Sequence, residues 1–231
     1  MPTDIVVLAA GKGTRMNSSL AKVLHPLAGE PMIQHVIKTA QRLEPRHIAV
    51  VIGHQGADVQ AALAAQNGGG KLIWVEQEQQ LGTGHAVKLA KDHLPDDGAM
   101  LVLYGDVPLI TEDTIRACED AANRGQLGLL VAEFSDPAEL GRIIRDDTGA
   151  VQEIVEFKDA TLEQRQISEI NSGILAAPQE HMAQWLDRLQ SNNAQQEYYL
   201  TDIIAMAVQD GVEVVPIQAS SEAEVTGVND R

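Results

Sequence analysis

Ile5-Val-Val-Leu-Ala-Ala-Gly-Lys-Gly-Thr-Arg-Met16 is the stretch on which the fold class turns. A short β-branched run that breaks into glycines and cations predicts a buried strand opening into an anion-binding loop. Gly11 and Gly13 permit backbone turns closed to other residues and let main-chain N–H groups approach a phosphate. Lys12 and Arg15 add positive charge at the same point, and Lys22 follows closely. Two common glycine loops do not fit. A dinucleotide fingerprint needs a small residue three positions beyond Gly13, where this chain has Met16, and no P-loop Gly-Lys-Ser/Thr closes the segment. The glycines alone are also compatible with a tight strand connection. The added cations favour a polyphosphate.

Outward from this loop, strand-like apolar runs recur at 5–10, 48–52, 72–75, 100–104, 127–132, 154–157, 173–176 and 212–217. Helical patterns lie between the early ones: Pro31 in the first turn of a helix reaching Leu43, then 58–65, 84–92, and 112–124 with Thr111 as cap. Strand-helix alternation predicts a Rossmann-like α/β fold, a mostly parallel sheet flanked by helices. After Leu127 the strand signals crowd together, with turns at Asp136-Pro137 and 146–149. This change of rhythm predicts a smaller mixed β lobe over the active face, followed by helices at 179–189 and 200–210. One domain over 1–231 is expected, with halves at about 1–125 and 126–231 and no linker between them.

The chain has 231 residues, 44% of them hydrophobic, enough for a substantial core. Its 17 basic and 33 acidic residues give a net charge of −16, which disfavours nucleic acid and anionic membranes as partners. A small anion drawn to one positive pocket is compatible with that body. No apolar run is long enough to span a bilayer, and the N-terminus lacks the features of a signal peptide. A single cysteine, Cys118, fits a reducing cytoplasm and a packing role. His25, His35, His54 and His85 have no metal-ligand spacing, and Trp74 and Trp185 read as packing residues.

Ligands of an open parallel sheet gather beyond the carboxyl ends of its strands. The glycine loop leaves one such end, and Met100-Leu-Val-Leu-Tyr104 runs into Gly105-Asp106-Val-Pro108 at another. Asp106 should then share the crevice with the loop. A carboxylate beside a phosphate repels it unless a divalent cation intervenes, and Mg²⁺ suits one or two carboxylates plus phosphate oxygens. An Asx turn ahead of Pro108 is the equally open alternative.

Together, the Leu8–Met16 loop, Lys22-Val-Leu24 and Tyr104-Gly-Asp-Val-Pro-Leu109 resemble sugar-1-phosphate nucleotidyltransferases. Seven further segments narrow the resemblance: Gln80-Leu-Gly-Thr-Gly-His-Ala86, Gly141-Arg-Ile143, Ile154-Val-Glu-Phe-Lys-Asp-Ala160, Glu169-Ile-Asn-Ser-Gly173, Asn192-Asn-Ala-Gln195, Glu197-Tyr-Tyr-Leu-Thr-Asp-Ile203 and Val225-Thr-Gly-Val-Asn229. They are similar to the uridyltransferase half of the bacterial bifunctional N-acetylglucosamine-1-phosphate uridyltransferase/glucosamine-1-phosphate acetyltransferases. The resemblance implies that UTP and N-acetylglucosamine-1-phosphate give UDP-N-acetylglucosamine and pyrophosphate, with Mg²⁺ as cofactor, feeding peptidoglycan and lipopolysaccharide synthesis. It implies further that Arg15 stabilises the departing pyrophosphate, that Lys22 sits on phosphate oxygens, and that Asp106 and Asn229 hold the metal. Leu8, Ala9, Ala10, Gly11, Gly13, Gln77, Gly82, Thr83, Tyr104 and Gly105 would bind the nucleotide. Gly141, Glu156 and Asn171 would meet the sugar and its acetamido group.

Two departures stand out. Ala21 replaces the proline that usually precedes the lysine, and nothing resembles the left-handed β-helix that carries acetyltransferase activity and the trimer interface. The expectation is a chain without acetyl-CoA chemistry, monomeric or weakly oligomeric. The alternatives are the same fold acting on another sugar-1-phosphate or nucleotide, or a non-catalytic nucleotide-sugar sensor. A dinucleotide oxidoreductase is disfavoured by Met16.

Overall fold

The computed structural model describes residues 1–11, 13, 18, 20–53, 55–66 and 72–228. Arg15 and Asn229 lie outside the described residues, as do Lys12, Met16 and His54. The chain opens with β1 (Thr3–Ala9), buried at every position. A 3₁₀ turn at Lys22–Leu24 and a small hairpin of β2 (Pro26–Leu27) and β3 (Glu30–Pro31) lead to α1 (Met32–Gln41). Then follow β4 (His47–Ile52), α2 (Gly56–Gln66), β5 (Leu72–Glu76), α3 (Thr83–Lys91), β6 (Ala99–Tyr104), α4 (Glu112–Asn123) and β7 (Leu127–Glu133). The remainder holds β8 (Arg142–Arg145), β9 (Val151–Val155), β10 (Glu169–Pro178), α5 (Gln179–Arg188), α6 (Asp202–Gln209), β11 (Val214–Gln218) and α7 (Glu222–Val225).

The main sheet runs β11-β7-β10-β6-β1-β4-β5, and within this path only β10 opposes its neighbours. Alternation along β1 divides the core into two layers. Ile5, Val7 and Ala9 face Ile33, Val36 and Ile37 of α1 and Ile115 and Cys118 of α4. Val6, Leu8 and Ala10 belong with Val87 of α3, Trp185 of α5 and Ile203 of α6. Each fully buried aliphatic side chain contributes about 1.5–3 kcal/mol, which explains why so short a run as β1 is held so firmly. At the end of the sheet away from the glycine loop, the buried Asp4 carboxylate accepts from Arg46 at 2.6 and 3.1 Å and from Gln179 at 2.7 Å.

The second half departs from the expected division. β7, β10 and β11 extend the central sheet sideways instead of covering it, because β7 and β10 are apolar on both faces and need helices on each. Only the β8–β9 hairpin, hung on β10 through the pair Ile170 and Arg142, stands off as a smaller β lobe. The 146–149 turn starts β9 at Val151, three residues before the expected Ile154, so Glu156 leaves the end of the strand. β8 carries an arginine at each end and gave no apolar run to read. Thr111 precedes α4 without capping it; its hydroxyl donates to Glu224 at 2.6 Å. Pro31 stands just before α1, not in its first turn. Among the described residues no helix is long and apolar enough to cross a membrane.

Candidate active site

Parallel pairing of β1 with β6 sets Leu8 beside Tyr104, so the two strands end together. Gly105 N–H then donates to Leu8 O at 2.9 Å, and the residues after each strand enter one crevice. That crevice is a cleft of about 400 Å³ whose lining includes Leu8, Ala9, Ala10, Gly11, Gly13, Lys22, Gln77, Gly82, Thr83, Tyr104 and Asp106. These are the described residues assigned above to the nucleotide, except Gly105, whose backbone joins the two strand ends.

The cationic wall is built by a close approach. Gly13 has φ +56°, and a Cβ there would lie 2.7 Å from Lys22 Cβ, so only glycine lets this position come so close to the 3₁₀ turn. Ala21, ahead of that turn, has φ −54°, the value a proline would impose, so the backbone keeps the family's approach without the ring. Lys22 Nζ donates to Asp106 Oδ2 in a part-buried ion pair. The Asp106 carboxylate therefore faces the lysine in the cleft, and no Asx turn claims it. Val228 N–H donates to Asp106 O at 3.0 Å, which ties the late chain to the same residue.

Opposite, Gln77 is buried, its backbone N–H on Ile52 O at 2.8 Å. It is buried although it stands in the polar run Glu76–Gln80. Gln77 Nε2 donates to Gly82 O at 3.1 Å and lies 3.0 Å from His85 Nδ1. Gly82 caps α3 with φ 108° and ψ 172°, a conformation open in practice only to glycine. Gln80 Nε2 donates to Ala10 O, and Glu197 also lines the cleft. Gln80, His85 and Glu197 received no role from sequence; Gln80, His85 and Glu197 all lie inside quoted motif segments, the one signal available.

The sugar-side residues form a second group. A Cβ on Gly141 would lie 3.4 Å from Glu156 Oε2, and Asn171 N–H donates to Gly141 O at 3.0 Å. Burial raises the Glu156 carboxyl above the usual carboxylate range, Thr201 Oγ1 donating at 3.1 Å acts against it, and Asp159 and Asp202 push it further up. Nearby Lys158 donates to Gln195 and Glu156 accepts from Thr201, so the two charges have separate partners. Tyr104 connects the groups: burial first, then Glu156 and Asp106, push its hydroxyl pKa up, while a hydrogen bond with Thr83 acts the other way.

Among the described residues no three His, Cys, Asp or Glu side chains form a ready metal cage. A single carboxylate at a phosphate-sized cleft nevertheless suits a hard dication that takes its other ligands from phosphate and water. The chemistry open to this arrangement is alignment and charge neutralisation of a polyphosphate.

Residues 5–143 match the family model of the MobA-like NTP transferase domain. Over 99% of its length the chain is 55% identical to the bifunctional protein GlmU of Alkalilimnicola ehrlichii, and over its whole length it is 56% identical to that of Pseudomonas aeruginosa and 50% to that of Acinetobacter baumannii. It spans about half the length of these curated relatives (48%, 50% and 50%). In three dimensions it is similar to a Bacillus anthracis protein assigned as a glucose-1-phosphate thymidylyltransferase, solved with sucrose, with TM-score 0.78 at 23% identity covering 94% of this chain and 87% of that one. A UDP-glucose pyrophosphorylase solved with UDP-glucose gives TM-score 0.78 at 16% identity, covering 95% and 91%. At those identities the two structures establish the fold. Nucleotidyltransferases of the matched family generally use a divalent metal ion. A matched model over more than half of the chain, a sheet of the same architecture and a glycine-loop cleft at its strand ends agree: the chain belongs to the MobA-like NTP transferase domain family.

Proposed function

We propose that the protein transfers UMP from UTP to N-acetylglucosamine-1-phosphate, giving UDP-N-acetylglucosamine and pyrophosphate in the cytoplasm. The observation that carries this reading is the Lys22–Asp106 pair set against the glycine loop in a cleft that also holds Gln77. The sugar-phosphate oxygen attacks the α-phosphorus in line, and the P–O bond to the β-phosphate breaks as pyrophosphate leaves. The nucleophile is already anionic, so catalysis rests on positioning and electrostatics. Lys22 shields the phosphates about the reacting centre. Arg15, with its planar donor fork, draws off charge on the pyrophosphate. Asp106 and Asn229 would hold Mg²⁺, which when bound supplies neutralisation of the triphosphate. The main chain from Leu8 to Gly13, with Gln77, Gly82, Thr83, Tyr104 and Gly105, seats the nucleotide. Gly141, Glu156 and Asn171 seat the acetylated sugar. Residues from Thr3 to Val228 act together as one nucleotidyltransferase unit.

The test is pyrophosphate release from UTP plus N-acetylglucosamine-1-phosphate, with and without Mg²⁺, beside Asp106→Ala. Loss of an electrostatic partner at the reacting phosphates should cost about 10²-fold or more in rate. The circular dichroism spectrum should be unchanged. Undiminished release by the variant would remove Asp106 from the mechanism.

A further inference from the structure

Two neighbours orient the cleft-facing amide of Gln77. Gly82 O, 3.1 Å away, is a carbonyl and can only accept, so the amide nitrogen and not the oxygen must face it. The same nitrogen lies 3.0 Å from His85 Nδ1. Burial first, then Lys88, keeps the His85 ring on the neutral side of its ordinary value, while a hydrogen bond with the Gln79 backbone acts the other way. A neutral imidazole supplies one acceptor nitrogen, and Gln77 Nε2 is placed to donate to it. Both amide protons are then spent, on Gly82 O and on His85 Nδ1. What remains to meet a ligand is Gln77 Oε1, which accepts from no donor among the described residues.

We infer that His85 is a positioning residue that sets base selectivity by locking Gln77 as an acceptor. This rests on the proposal that a uridine nucleotide occupies the cleft, with Gln77 opposite position 3 of the base. Uracil carries N–H there, and Gln77 Oε1 accepts it. Cytosine carries a lone pair at the same position, which an oxygen repels. Without the histidine acceptor the orientation set by Gly82 O loses one of its two hydrogen bonds, so the turned amide, which presents N–H and tolerates cytosine, becomes easier to reach. Sites built to hydrogen-bond one edge reject the analogue lacking it more sharply than apolar pockets do.

The experiment compares UTP and CTP in the full chain, as kcat/KM with N-acetylglucosamine-1-phosphate and separately as Kd by calorimetry. His85→Leu and His85→Gln both remove the acceptor at the Nδ1 position, the second keeping a polar chain should the first not fold. His85→Asn retains an acceptor oxygen near that position. The UTP:CTP ratio should fall about 5- to 10-fold in the first two variants, the effect of one hydrogen bond, and stay near wild type in the third. Folded Leu or Gln variants with an unchanged ratio would overturn the inference, whatever happens to their stability. So would wild-type protein binding both nucleotides equally. Wild-type protein that binds UTP over CTP but releases no pyrophosphate would instead sink the proposed reaction and leave the selectivity to be read from Kd.

Discussion

Gly82→Ala is a single-methyl change whose cost can be worked from the geometry. At φ 108° and ψ 172° the backbone is in a region that residues with a Cβ avoid, a strain of about 1–3 kcal/mol. The added carbon would stand 2.5 Å from Tyr198 O and 2.9 Å from Tyr198 N, both backbone atoms that cannot swing aside. Those atoms are already engaged, Tyr198 O by Gly84 N–H at 2.8 Å and Tyr198 N–H on Leu81 O at 2.7 Å. Overpacking against such neighbours adds about 1–3 kcal/mol. The expected destabilisation is thus about 2–6 kcal/mol, a Tm drop of roughly 4–24 °C for a domain of this size. Because Gly82 O also accepts from Gln77, KM for UTP should rise in the molecules that remain folded. Gly125→Ala is the control: φ is +81° there, but nothing lies within 4 Å of the new carbon, so only backbone strain of about 1 kcal/mol is expected and UTP kinetics should not move. Thermal unfolding followed by circular dichroism, with UTP titrations at a temperature where all three proteins are folded, decides the matter. A Gly82→Ala protein that melts with Gly125→Ala and keeps wild-type KM would refute the reasoning.

Two other outcomes follow from buried charge. Arg142 is almost fully buried and bonds to carbonyls, including Ala138 O at 3.0 Å and Leu140 O, with Phe157 beneath its guanidinium at 5.7 Å. Arg142→Met should release the loop before Gly141, so KM for the sugar phosphate should rise about 10-fold or more while KM for UTP holds; equal changes in both would count against a local role. Burial pushes the Glu224 carboxyl up, but hydrogen bonds from Ser220, Thr111 and Thr114 outweigh it and hold it at about 2, below the ordinary 4.5. Its contribution is therefore present above pH 4.5 and lost as pH falls towards 2, and Glu224→Gln should flatten the fall in urea-measured stability over that window. An unchanged slope in the variant would show that other carboxylates account for it.

Much of the architecture was legible because it rests on local signals. β1, β4, β5, β6 and β7 lie where β-branched runs predicted, and α1 to α6 all form within a few residues of their patterns. The glycine loop and Gly105-Asp106 were placed at one end of the sheet from strand direction alone. β8 escaped notice since four residues with terminal arginines carry no periodicity. Gln80, His85 and Glu197 escaped for another reason: polar residues in a polar run look alike until a partner is known.

That this is an α/β chain with a phosphate-type glycine loop can be read from residue order, because alternation, glycine and β-branching act over a few residues and need no distant partner. Folding alone reveals that β10 reverses between β6 and β7, that Lys22 meets Asp106 across 84 positions, and which atom of Gln77 is left for a ligand. Those facts depend on which distant donors and acceptors folding brings within 3 Å, and hydrogen-bond directionality at that range has no signature in the order of residues along the chain.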